Sequence, residues 1–573
     1  MRINSHLSFF LSAVLLCGLT ACGGGGSNSA QTSTPSAPTT PTPPPVPVAA
    51  LKLTYPAWPI LEVGKAMADL SPTLENPDAG STPSYSVANG FLPNGLVLNA
   101  TTGAITGTPI QFTAFSVEVK VTSGSKTATA SLTGKVTSPL GIENVIAVPG
   151  VDEFRVTSPT ANFYVDSVNG SDKADGKSTS TPWQNLAKVN ALTLQPGNVV
   201  HLARGSVWKE QLRLKNAGTA AAPIVVQAYG TGAAPTIQLF TSENDGTNGV
   251  LVTGNYIHVL ELRLSDIHWS AIHLDKNSQH VVVAGNEILR SGMGIDVLGK
   301  HQRALSNYIH DMTMVVDTGD PNTAWGANGM GFQGEDLEIA FNRFVNCRAQ
   351  CKNFGGWDGG AIEYFGYADG IGWNQITTDV LIHHNFLDNC DVFIEANGRI
   401  KGMMIAHNLY INIPSGVFLF HMLTNTEKGV AIKNTYEASM ENNTLIGAFT
   451  AFAFWNPSGY VAGGNHFVIR NNIVVTQSQV AWDPACVGAD LVHDHNLFYF
   501  LTGGNLGYSQ HLWTLDASEL IANPGFADSN LKDYRLSSTS AALKKGYPTL
   551  FSADLLGNRI PANSAPDLGA FQQ

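Results

Sequence analysis

The chain has 573 residues, only 13% of them charged, with 57 glycines and a formal net charge of -12. That negative surplus argues against nucleic acid as a partner, and disfavours a strongly anionic polysaccharide unless a cation intervenes. Low charge with abundant glycine favours β structure and tight turns over helical bundles, and the length calls for at least two domains.

The N-terminus reads as an export signal. Met1-Arg2 opens a short basic segment, Leu7 to Leu19 is an apolar run too short to span a membrane well, and Leu19-Thr20-Ala21-Cys22 follows. The last four residues resemble a bacterial lipobox. The resemblance implies a signal peptide over 1–21, a lipid on Cys22, and an outer-membrane lipoprotein facing the periplasm or the cell surface. Residues 22–50 are dominated by Gly, Ser, Thr, Pro and Ala. Such a stretch cannot bury a core and is expected to be a tether.

Residues 51–137 alternate apolar and polar positions in short runs, as in Phe115, Val117, Val119 and Val121, broken by turn clusters such as Asn76-Pro77-Asp78-Ala79-Gly80. This pattern predicts a small β-sandwich. The segments Leu92-Pro93-Asn94-Gly95-Leu96 and Thr102-Gly103-Ala104-Ile105-Thr106-Gly107-Thr108-Pro109 resemble the immunoglobulin-like modules of bacterial surface proteins. The resemblance implies a spacer or adhesive unit. A linker is expected over 138–160.

Beyond residue 161 the chain repeats an Asn followed by a short apolar strand, at Asn286, Asn307, Asn342, Asn385, Asn408, Asn443, Asn472 and Asn496. The shortest spacings, 21 to 24 residues, suit one coil of a parallel β-helix, and the longer ones imply loops inserted into a coil. Each coil cannot bury its apolar side alone, so stacking makes the core and the Asn ladder is structural. The entrance (Tyr164-Val165-Asp166, Asp175-Gly176, Thr181-Pro182-Trp183) and the ending (Asn523-Pro524-Gly525-Phe526, Asp567-Leu568-Gly569-Ala570-Phe571) resemble the pectate-lyase-like β-helix superfamily. The fold class is therefore all-β: a right-handed parallel β-helix over 161–573, preceded by the immunoglobulin-like β-sandwich. The resemblance implies polysaccharide cleavage by hydrolysis or by β-elimination.

Aligning the strand that follows each Asn strand predicts one inward stack of Ile272, Ile295, Phe332, Ile362, Ile394 and Leu419. The next residues, His273, Asp296, Gln333, Glu363, Glu395 and Phe420, are then expected to form an outward file. Glu363 and Glu395 would sit about 4.8 Å apart on adjacent coils, close enough that one keeps its proton while the other is ionised. That pairing is the machinery of a glycoside hydrolase, and a short separation favours retention. Glu363 and Glu395 are expected as acid/base and nucleophile, in an order left open, with Asp358 assisting. If Asp358 instead pairs with Glu395 across a longer gap, inversion follows. His273, Asp296, Gln333, Trp357, Tyr364, Arg399 and His421 are expected to bind a polysaccharide substrate. The long coils that bring Trp325, Tyr367 and Trp373 nearby support this placement.

Other readings remain at this point. A polysaccharide lyase would use Ca²⁺ held by Asp296, Glu363 and Glu395 to neutralise a uronate, with Arg399, Lys401, His421 or His310 as base. No Lys and Arg stack together beside the two Glu, which counts against it. A third reading has the acids bind a structural Ca²⁺ or stand merely solvated, on a non-catalytic glycan-binding surface protein. The hydrolase reading requires no cofactor, and a monomer is expected. Among the cysteines, Cys347 and Cys390 each lie five residues after a ladder Asn. This spacing predicts one column and a disulfide between them, with Cys351 as a competitor. Cys486 and the others do not have the spacing of a zinc site.

Overall fold

Each coil turns a corner at the residue before its ladder Asn. Gly285, Ser306, Phe341, His384, His407, Asn442, Asn471 and His495 all have positive φ, between 54° and 66°. A left-handed backbone is costly for Phe or His, so something must hold it. The following Asn does. Asn286 Nδ2 donates to Asn307 Oδ1 at 3.0 Å, Asn307 to Asn342 at 3.0 Å, and Asn342 to Asn385 at 3.1 Å. The chain of amides continues through Asn408, Asn443 and Asn472 to Asn496. From Asn307 onward each Oδ1 also accepts the backbone N–H of the Asn one coil earlier. All eight side chains are buried. The last donor, Asn496 Nδ2, meets the Glu519 carboxylate at 2.7 Å.

The computed structural model describes residues 49–137 and 151–573, less 60, 63–64, 91, 94, 110–112, 241–245, 321–323, 353–355, 368–369, 456–463, 485–486, 488–490, 508–512 and 562–563. The lipidation expected at Cys22, and Cys486, lie outside the described residues. From Ala161–Val165 onward, parallel strands wind into a right-handed β-helix with three sheets. One sheet runs through Ser270–Leu274, Met293–Leu305, Asn328–Ala340, Gly360–Phe365, Ile394–Asn397, Gly416–His421 and Thr444–Trp455. The second includes Thr377–His383, Arg399–Ala406 and Thr435–Glu441. The third, just after the Asn corner, includes Tyr308–His310, Arg343–Val345, Phe386–Asp388 and Leu409–Ile411.

Register in the first sheet gives an inward stack of Ile272, Ile295, Met330, Ile362, Ile394 and Phe418, all fully buried. This corrects the sequence alignment at two coils. Phe332 pairs with Val297, not Ile295, and Leu419 faces outward beside Glu395. Toward the C-terminus the stack becomes aromatic: Phe418 on Phe452 at 5.6 Å, and Phe452 on Trp513 at 5.7 Å. Each such ring contributes about 1.5–3 kcal/mol by leaving water. At the other end the short helix Leu186–Ala191 buries Leu186 and Val189 in the same core.

Two external surfaces are covered by the chain's own flanks. Val151, Phe154 and Val156, within the expected linker, pack over Val199, Val225 and Leu260. Near the C-terminus Tyr534, Leu555, Leu556 and Phe571 cover Phe386, Leu409 and Ile411. The cysteine column is as the spacing predicts, but the bridge is not made. Cys347 and Cys390 are both buried thiols. In-register side chains on parallel strands stay near the strand spacing of about 4.8 Å, beyond the Cβ separation a disulfide prefers.

In the N-terminal module, Ser84–Gly90, Thr113–Ser123 and Lys126–Thr137 pair antiparallel, with Leu61–Glu62 on the edge. Val117, Val119 and Val121 are buried with Leu53, Leu96 and Ile105 in its core, as the alternation predicts.

Candidate active site

The outward file reads His273, Asp296, Gly331, Glu363, Glu395, Leu419 in successive coils. Glu363 and Glu395 are direct partners in adjacent strands. Their alternation is visible in burial: Ile362 and Tyr364 are buried, while Glu363 between them is partly exposed. Gly331 stands where Gln333 was expected, and it leaves space. A Cβ there would come to 3.0 Å from Asp296 Oδ1, so a side chain at this position would press on Asp296 where it leans along the file.

Burial pushes the Glu363 carboxyl up to about 8, and the negative charges of Glu395, Asp358 and Asp296 push the same way. Asn328 Nδ2 donates to Glu363 Oε2 at 2.5 Å and fixes its orientation. Glu395 Oε1 lies 2.7 Å from His421 Nε2, and the imidazole rests edge-on against Trp455 at 4.9 Å. Asp358 sits on Trp357–Asp358, which pairs with Ala349–Gln350 in the excursion from the longest coil. Burial, aided by the charge of Glu395, raises Asp358 to about 6 against the opposing hydrogen bond from Gly359 N. Asp391 is raised to about 6 by burial, with Asp358 and Glu395 adding to it and Arg348 opposing. At the N-terminal side, Asp296 Oδ2 is held by Ser270 Oγ at 2.5 Å and His273 Nδ1 at 2.9 Å.

Four of the expected substrate contacts therefore join the file or its rim: His273, Asp296, His421 and Trp357, the last 40% exposed beneath the Arg348 guanidinium at 4.2 Å. Three do not. Gln333 is buried and donates to Gly366 O at 2.9 Å. Tyr364 points inward and its hydroxyl donates to Arg399 O at 2.8 Å. Arg399 opens a strand of the second sheet and is spent on Asn374. Phe420 likewise lies in the core, stacked on Phe454. Of the alternative bases, His310 stands on the third sheet against Asp311 and Tyr308, away from the file. Asp391, Asn328 and Ser270 were not anticipated. They precede the aligned apolar–polar pairs, where a search for alternation does not look. Among the described residues no group of three or more His, Cys, Asp or Glu is arranged to hold a metal ion, so the Ca²⁺ set of Asp296, Glu363 and Glu395 is not assembled.

Residues 53–137 match the family described as "Putative Ig domain". No curated protein matches the chain. Among solved structures, a GH136 lacto-N-biosidase from Eubacterium ramulus is similar over 63% of this chain and 67% of its own, at 16% identity and a TM-score of 0.35. An alginate lyase from Paenibacillus sp. is similar over 59% and 95%, at 17% identity and a TM-score of 0.32. A Family 28 exopolygalacturonase from Yersinia enterocolitica is similar over 82% and 98%, at 12% identity and a TM-score of 0.33. The chain thus carries an N-terminal immunoglobulin-like domain and a β-helix distantly similar to those of several carbohydrate-active enzymes, glycosidases and lyases alike.

Proposed function

We propose that the β-helix is a glycan-cleaving enzyme, acting as a glycoside hydrolase with Glu363 and Glu395 at the scissile bond. The observation that carries this reading is the in-register pair, one member of which keeps its proton at neutral pH. Glu363, protonated and aimed by Asn328, would protonate the glycosidic oxygen. Glu395, oriented by His421, would attack the anomeric carbon, and water would then release the sugar with Glu363 acting as base. A separation near the strand spacing of about 4.8 Å suits this retaining course better than an inverting one. Asp358 adds negative charge that holds the proton on Glu363. The protein would be tethered to the membrane by a lipid on Cys22, and Cys22→Ala should abolish labelling by a radioactive fatty acid.

Incubation with a panel of polysaccharides tests the reaction. New reducing ends without the ultraviolet absorbance of an unsaturated sugar are expected. Glu363→Gln and Glu395→Gln should each lower kcat by about 10²–10⁴-fold. Full activity in both variants would remove the site. A second reading has one observation in its favour, the imidazole of His421 beside the file and against Glu395. In a lyase it would take the proton beside a uronate carboxylate, and the products would absorb in the ultraviolet.

A further inference from the structure

The file does not end at Glu395. It continues in register through Leu419 and Ala453 to Trp482, three coils on. Beside it His421 is followed in register by Trp455. Leu419 and Ala453 are partly exposed, each between two buried Phe. Trp455 and Trp482 are 41% and 42% exposed, a large apolar area for side chains that the core could have used. The outward surface therefore changes character along the helix axis. It is acidic and hydrogen-bonding from Asp296 to Glu395, then apolar from Leu419 to Trp482.

The charge acting on the acid of the pair has one sign. The charged groups acting on Glu363 are all carboxylates. Arg348, the guanidinium felt by Asp391, is committed to that carboxylate at 3.8 Å and to the face of Trp357. A chain of uronates or sulfated sugars laid here would face repulsion from these carboxylates. Neutral sugars present hydroxyls on their edges and C–H groups on their faces, which suits acids at one end and indole faces at the other.

We infer that Trp455 and Trp482 form a sugar-binding subsite for an uncharged glycan, continuous with the Glu363–Glu395 pair and about 14 Å long from Glu395 to Trp482. This rests on the reading of the file as a glycan groove, and it adds the direction of the chain and its charge class. The substrate runs along the helix axis, with sugar rings stacked over Leu419 and Ala453 and against the two indoles.

Binding is measured on Glu363→Gln protein by calorimetry, so the result does not depend on turnover. The probes are cellohexaose, xylohexaose, mannohexaose and hexa-N-acetylchitohexaose, set against hexagalacturonate and an alginate hexamer. At least one neutral hexamer should bind more tightly than both uronates. Its affinity should fall about tenfold with Trp482→Ala and with Trp455→Ala, and be restored by Trp482→Phe. Tighter binding of a uronate, binding of none of the neutral hexamers, or unchanged affinity in both Ala variants overturns the subsite. Neutral binding that depends on the two Trp, with no cleavage by the unmodified protein, would overturn the proposed hydrolase and leave the subsite standing.

Discussion

Glu363 keeps its proton because it is packed among protein atoms and surrounded by three other carboxylates. Two consequences follow at the scale of the residue. Activity that needs the acid form should fall as pH rises through about 8. The folded value lies above the unfolded one of roughly 4.3, so the group's contribution to stability is fully present below that value and lost as pH rises through about 8. Glu363→Gln should therefore flatten the alkaline loss of stability, by on the order of 1–3 kcal/mol once its partial exposure is allowed for. Chemical denaturation at pH 5 and pH 9 measures it, and an equal loss in both proteins would count against the assignment. The pair itself was legible in the sequence because Ile362-Glu363 and Ile394-Glu395 carry a clean in–out alternation. The neighbouring coils were not. Gly331 has no side chain to mark the outward position, so the alignment slid two residues to Gln333. In Val417-Phe418-Leu419-Phe420 every residue is apolar, and no pattern distinguishes the outward Leu419 from the inward Phe420.

The element that fixes the register is the Asn ladder. The spacing of its members named the coils from sequence, including the longest, whose excursion brings Asp358 and Trp357 to the site. Each internal Asn accepts two hydrogen bonds from the preceding rung, one from an amide side chain and one from a backbone N–H. Asn408→Ala would leave the Asn385 backbone N–H and one of its two amide hydrogens buried without an acceptor, the other keeping Ile339 O. A cost of about 2–5 kcal/mol is expected, read as a lower denaturation midpoint, whereas Asn425→Ala in the hairpin Thr424–Glu427/Val430–Lys433 should cost far less. Equal effects would mean that the ladder is a consequence of stacking and not one of its causes. The cysteine column shows the limit of spacing arguments: they place Cys347 over Cys390 correctly, but the separation of parallel strands is set by the backbone and not by sulfur.

At the scale of the molecule, the C-terminal flank seals a layer of imidazoles. His383, His384 and His407 lie together under Phe551, with His384 Nε2 donating to Ala553 O at 3.2 Å. Burial, reinforced by the neighbouring rings, drives His384 down to about 3 and His407 well below its usual value. Both folded values lie below the unfolded one of roughly 6.5, so their stability is fully present above that pH and is lost as pH falls toward the folded values. Acidification from pH 7 to pH 4.5 should raise hydrogen exchange first around Phe551 to Leu556, and His407→Leu should suppress the increase. No change in that segment would detach the imidazoles from acid stability. Nothing in the sequence announced this layer, because it is made by residues 169 positions apart, His384 and Ala553, and long-range closure leaves no local pattern.

The ladder has a further property that follows from its direction. Every rung donates toward the C-terminus and accepts from the N-terminal side, so the eight amide dipoles align head to tail. Like the peptide dipoles of an α-helix, they sum to a partial positive charge where the donors end. Glu519 stands there, its carboxylate also receiving Trp513 Nε1 and Asp516 N. A buried carboxylate at that point is the counter-ion of a polarised wire running up the β-helix, and Glu519→Gln would remove the charge while keeping the shape.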